Sequence, residues 1–170
     1  AVSAVFWRDQ LRIDLLSDEA MQTSAIEGEM LDRRSVQSSL RRQFGLVTDD
    51  HHAKPKEQGV AEMMVDVYST YSEPLTHETL FRWHGMLLSH DRHLEMIGGY
   101  RQHSDAMQIV SGRIDRPTVH FEAQPSDKVL TEMTNCLEWF SRTHPNGEEP
   151  LPALTRAGLS HLYFESVHPF

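Results

Sequence analysis

Gln108-Ile109-Val110-Ser111 and Thr118-Val119-His120-Phe121 are the two runs on which the fold class turns. Both are short and rich in β-branched and aromatic residues. Gly112-Arg113-Ile114-Asp115-Arg116-Pro117 bridges them, with Gly112 placed at the turn, so together they predict one β-hairpin. Nothing else in the chain reads as strand. Working outward toward the N-terminus, Gly98-Gly99-Tyr100-Arg101 interrupts the pattern, and everything before it repeats at helical spacing. Thr76 opens a helix whose inward stripe is Leu80, Trp83, Leu87 and Leu88. Glu57 to Tyr71 forms another, apolar at Val60, Met63, Met64, Val67 and Tyr71 and stopped by Glu73-Pro74. Ahead of it lie a polar loop from Val47 to Lys56 and a helix from Ser35 to Gly45, striped by Val36, Leu40 and Phe44.

The N-terminal stretch reads as two helices. Phe6, Trp7, Leu11, Leu15 and Leu16 make the apolar face of the first. Ser17-Asp18-Glu19 opens the second, with Ser17 as cap, and Gly28 stops it. Outward in the other direction, Ser126-Asp127 caps a helix to Arg142 that faces inward with Val129, Met133, Leu137 and Phe140. Pro150 and Pro152 introduce the last helix, Ala153 to Val167. The prediction is a mainly α chain with a single hairpin.

Composition narrows the function classes. A length of 170 residues suits one domain or a piece of a slightly larger one. An apolar fraction of 39% is ordinary for a packed chain and argues against wholesale disorder. Sixteen basic against 25 acidic residues leave a formal charge of −9, which disfavours nucleic acid and anionic membranes as partners. The one cysteine, Cys136, makes neither an internal disulfide nor a Cys-rich zinc module. No apolar run nears the ~20 residues of a bilayer span, and no signal peptide opens the chain. The compartment expected is the cytoplasm. The sequence opens at Ala1 and closes at His168-Pro169-Phe170, neither of which reads as a domain edge, so a longer protein is expected.

Several constellations bear on chemistry. His51-His52 reads as solvated loop. His90 and His93 are three apart, and His161, Glu165 and His168 follow at steps of four and three; both spacings suit metal ligands. Pro169, however, drives His168 away from the helical conformation and off that face. A histidine fixed between a helix end and a proline can instead take a proton from a hydroxyl, or be purely structural. Glu27 stands at the end of a helix, where the dipole disfavours a carboxylate. Following an inward-pointing Ile26, it calls for an arginine partner, the alternative being a solvated helix-end carboxylate. The hairpin edge could accept a strand from another protein or pack as a plain ribbon.

Four ordered stretches together resemble the Fic domain, in the branch whose inhibitory helix precedes the catalytic core. The family signature HPFxxGNGRxxR begins as His168-Pro169-Phe170 does. Thr23-Ser24-Ala25-Ile26-Glu27-Gly28 is similar to its inhibitory motif, Ser/Thr-x-x-x-Glu-Gly/Asn. Gly98-Gly99-Tyr100-Arg101 resembles the Gly-x-aromatic-Arg element before the flap. Met107 to Gly112 with Val119 to Glu122 resembles the flap hairpin itself. The likeness runs from about Phe6 to Phe170. The glycine-rich loop, its acidic metal ligand and the signature arginines are absent, because the sequence stops before them.

The resemblance implies a Fic-type helical bundle with one β-hairpin flap. Residues 1–56 would form an N-terminal helical region carrying the inhibitory helix, and 57–170 the front of the catalytic core. It implies a nucleotidyltransferase that, once the glycine-rich loop follows Phe170, moves AMP from ATP to a Ser, Thr or Tyr hydroxyl of a target protein. ATP and Mg2+ would be required, with no metal ligand inside this chain. His168 would be the general base, with Pro169 and Phe170 supporting its loop. Gln108, Ile109, Val110 and Ser111 would bind the target through the flap. Thr23, Glu27 and Gly28 would form the inhibitory motif, Glu27 competing for the arginine that binds the γ-phosphate. The same carboxylate could position water for de-AMPylation, so the net direction is open. The target and the oligomeric state are also open, a homo-oligomer being among the assemblies allowed. Two other classes remain beside this one: a non-enzymatic regulatory module on the same fold, and a histidine-liganded metallohydrolase.

Overall fold

The computed structural model describes residues 2–46, 53–94, 96–113 and 115–170. His51-His52, read above as solvated loop, lie outside the described residues. Among those described are six helices and one hairpin, so the chain is mainly α with a single flap-like ribbon, as its sequence predicts. In chain order these are α1 (Val2–Ile26), α2 (Arg33–Gln43), α3 (Pro55–Thr70), α4 (His77–Leu88), β1 (Gln108–Arg113), β2 (Arg116–Glu122), α5 (Ser126–Arg142) and α6 (Ala153–Val167). They form two compact units, Ala1–Glu73 with Arg82–Ile97, and Pro74–Phe81 with Gly98–Phe170. Helix α3 packs with α1 and α2 in the first unit.

In the first unit, α1 is one continuous helix rather than two. Ser17 does not cap anything: it is fully buried, and its hydroxyl donates to the Ile13 carbonyl one turn back at 2.6 Å. That local bond satisfies the hydroxyl inside a helix and removes the reason to start a new one. The buried face is also different from the one expected. Ile13, Ser17 and Ala20 point into the core with Val36, Leu40, Val60 and Ala61, and Leu16 packs against it. Trp7, Leu11 and Leu15 lie on another stripe and are 66%, 58% and 61% exposed. Residue 13 sits about 200° round the helix from residue 11, so both stripes cannot face the same core.

Helix α2 begins earlier than Ser35. Asp32 is its N-cap, with the carboxylate accepting from Ser35 N–H at 2.7 Å, while Glu57 accepts from Asp32 N–H at 3.0 Å. Gly28 and Gly45 close α1 and α2 in the same way, with φ of 79° and 67°. Glu29 N–H reaches Ser24 C=O and Gly28 N–H reaches Ala25 C=O, a Schellman closure that needs a left-handed residue. Helix α3 starts at Pro55, two residues before Glu57, since proline at the first position loses no hydrogen bond there.

In the second unit, Val129, Met133 and Cys136 of α5 are buried and α5 packs on α6. Ser126 is the first residue of α5 rather than its side-chain cap; Pro125 takes the cap position. The hairpin is longer than expected. Gly112 pairs with Pro117 inside the ladder at φ 93°, so it is not the turn, and the strands run on to Arg113 and Arg116. Between Ile109↔Phe121 and Val110↔Val119 the register skips His120, a β-bulge. Every residue described in both strands is exposed.

Candidate active site

The last turn of α6 sets the geometry. His168 N–H bonds Phe164 C=O at 2.9 Å and then the backbone turns left-handed, with φ 49° and ψ 66°. It is the one non-glycine residue at positive φ among those described. A non-glycine there carries a strain of roughly 1–2 kcal/mol, which the surroundings must hold in place. Pro169 explains the turn, because it disfavours a helical His168, and the end of α6 leaves the carbonyls of its last turn without intrahelical partners. Those carbonyls must find another donor.

Arg101 supplies it. Its Nε donates to the His168 carbonyl at 2.6 Å, and Nη2 donates to Val167 C=O at 3.1 Å and to Gln124 C=O. Its backbone N–H reaches Pro169 C=O at 2.9 Å. The residue is only 5% exposed. Burial pulls its pKa below the ordinary arginine value, while the negative end of the α6 dipole faces its charge. Next to it, Tyr100 is buried and its hydroxyl bonds His77 Nδ1 at 2.7 Å. Burial, followed by the neighbouring Cys136 and Glu78, pushes that hydroxyl's pKa up to about 12, so it stays a donor. His77 Nε2 in turn lies 3.3 Å from Thr134 Oγ1, whose own proton goes to Leu130 C=O. His77 is thereby the Nε2–H tautomer, accepting from Tyr100. Pro169 is buried, and Phe170 sits in an aromatic cluster with Tyr100 at 5.5 Å, Phe164 at 6.1 Å and Phe81 at 6.4 Å.

A cleft of about 430 Å³ opens beside this turn. Ile109, Phe121 and Leu162 form apolar walls, and Gln108, Glu165, Ser166 and His168 supply its polar groups. Of the four flap residues read from sequence, Gln108 and Ile109 therefore share a cavity with His168. Val110 and Ser111 do not line it; Ser111 Oγ is hydrogen-bonded to His120 Nε2 at 2.6 Å.

The remaining sequence-derived residues belong to the other unit. Thr23 gives its hydroxyl to Glu19 C=O at 2.7 Å, and Gly28 takes the left-handed stop position. Ile26 does not point inward as expected; it is 81% exposed, being off the Ile13–Ala20 face. Glu27 is exposed as well, and no arginine among the described residues pairs with it. Among the described residues no three His, Cys, Asp or Glu side chains gather as metal ligands. Asp91, near His90 and His93, spends its carboxylate on the His93 N–H at 2.9 Å. Sequence reading placed Arg101 in a motif and gave it no role. A proline after a helix-end residue does announce an orphan carbonyl, but spacing alone does not say which distant donor answers it.

Comparison with known proteins agrees with this architecture. A domain of unknown function, DUF4172, matches residues 5–46. No curated protein matches the sequence. A Fic family protein from Desulfovibrio desulfuricans superposes with a TM-score of 0.55 at 24% identity, over 94% of this chain and 43% of that one. A Fic domain containing signaling protein from Bacteroides thetaiotaomicron superposes with a TM-score of 0.61 at 18% identity, over 98% of this chain and 59% of that one. Among the described residues no helix is long and apolar enough to cross a membrane. The chain has the fold of these Fic proteins and spans about half their length.

Proposed function

We propose that this chain is part of a Fic-type AMP transferase, in which it supplies the general base and the docking edge for the protein substrate. The observation that carries this reading is His168, held in a left-handed turn at the rim of a cleft that the hairpin also lines. In the reaction an acceptor hydroxyl enters the cleft and gives its proton to the imidazole of His168. Its oxygen bonds the α-phosphorus of ATP while the bond to pyrophosphate breaks. An extended target segment pairs with the open edge of the hairpin, which brings its hydroxyl to one place.

Mg2+, if bound, would act on the phosphates of ATP rather than on the acceptor hydroxyl. Glu165 is the carboxylate lining the cleft, and no ligand group of three surrounds it among the described residues. The phosphate contacts would belong to the glycine-rich loop of the signature.

Labelled ATP with the protein that carries that loop tests the reading: label should appear on a protein hydroxyl. Successive strand residues aim their N–H groups at opposite edges, so Ile109→Pro and Val110→Pro between them sample both. Target labelling should fall more than ATP affinity. Loss of ATP affinity with target binding intact would remove the flap from the mechanism.

Glu27 is proposed as the brake, competing for the signature arginine. Its exposure means that Glu27→Gly removes no packing. AMP transfer should rise in the mutant at unchanged folded stability. Equal transfer by the two proteins would show that this helix does not restrain the enzyme.

A further inference from the structure

We infer that Arg101 is a positioning residue, which fixes His168 in its left-handed turn and ties that turn to the exit of the hairpin. The inference rests on the base reading for its catalytic meaning, although its geometry stands by itself. One planar guanidinium holds His168 C=O through Nε, and Val167 C=O and Gln124 C=O through Nη2. Gln124 lies two residues beyond the end of β2, and Ala123 N–H closes the base of the hairpin onto Met107 C=O at 2.8 Å. The fork is rigid, so the spacing between the docking ribbon and the imidazole is set by a single side chain. Among the described bonds no other donor reaches His168 C=O.

Lysine keeps the charge and loses the fork. An ammonium is a point donor and cannot reproduce the side-on pair to His168 and Gln124. A displacement of about 1 Å at a reacting group is enough to lower a rate by up to ~10²-fold.

The test has three arms. In the wild-type chain, NMR should find the Arg101 Nε–H protected from exchange and coupled through its hydrogen bond to the His168 carbonyl. Exchange as fast as at exposed Arg8 would overturn the inference, whatever the variants do. In Arg101→Lys, the His168 amide–Hα coupling and Cα shift should leave left-handed values while circular dichroism keeps its helical signal. Unchanged His168 signals would overturn it. In the AMP-transferring protein, Arg101→Lys should lower kcat by about 10-fold or more and leave KM for ATP unchanged. A raised KM with kcat intact would contradict it. Should the two NMR arms hold while His168→Ala remains active, the positioning stands and the base reading falls.

Discussion

His168→Ala is expected to lower AMP transfer by about 10³-fold while leaving the protein folded. A positioned base contributes roughly 10²–10⁴-fold, and among the described residues no other imidazole lines the cleft. Alanine brings one complication, because position 168 is left-handed and a Cβ without a compensating contact is strained there. His168→Asn separates the two effects. Asparagine tolerates positive φ and preserves the turn that Arg101 grips, yet it cannot accept the proton. Both variants should be silent with labelled ATP, and the His168→Asn protein should melt closer to wild type than the His168→Ala protein does. Full transfer by a folded His168→Asn protein would place the base elsewhere. A protein silent only as the alanine variant would make the turn, and not the proton, the feature that matters.

The parts of this arrangement that could be read from sequence are those whose cause is local. Gly28 and Gly45 stop helices because only a left-handed residue allows the closing bonds, and that rule needs no knowledge of the rest of the fold. The hairpin announced itself by its β-branched runs, and α6 by the prolines before it. Errors arose where a residue had two local options and tertiary structure chose. Ser17 can cap a helix or bond the carbonyl one turn back, and its burial within α1 selected the second. The six apolar residues from Phe6 to Leu16 include two stripes, and packing with α2 and α3 selected the one containing Ile13 and Leu16. Arg101 shows the limit most clearly. Its motif was visible, but its partners are 23, 66 and 67 residues away along the chain, and no periodicity encodes them.

Gly59→Ala should destabilise the first unit by about 2 kcal/mol, although every helix-propensity argument favours the change. Gly59 lies inside α3, where alanine is better by roughly 0.5–1 kcal/mol through lost chain entropy. Its missing Cβ is what permits a close approach. A Cβ built there would stand 2.0 Å from the Met86 carbonyl oxygen and 3.0 Å from its carbon. Both are backbone atoms of the second part of α4, and a backbone cannot swing aside as a lysine tip would. Alanine must therefore push the helices apart and loosen Leu87 from the core it packs against. Overpacking of this kind opposes folding by typically 1–3 kcal/mol or more, which exceeds the propensity gain. Gly158→Ala is the matched control, because it too sits within a helix, α6, and nothing lies within 4 Å of its Cβ position. That variant should be stabilised by up to about 1 kcal/mol. Urea melts of the two proteins should move in opposite directions. If Gly59→Ala were stabilised as Gly158→Ala is, the backbone contact between α3 and Met86 would not exist in solution, and the two helices would be held by side chains alone.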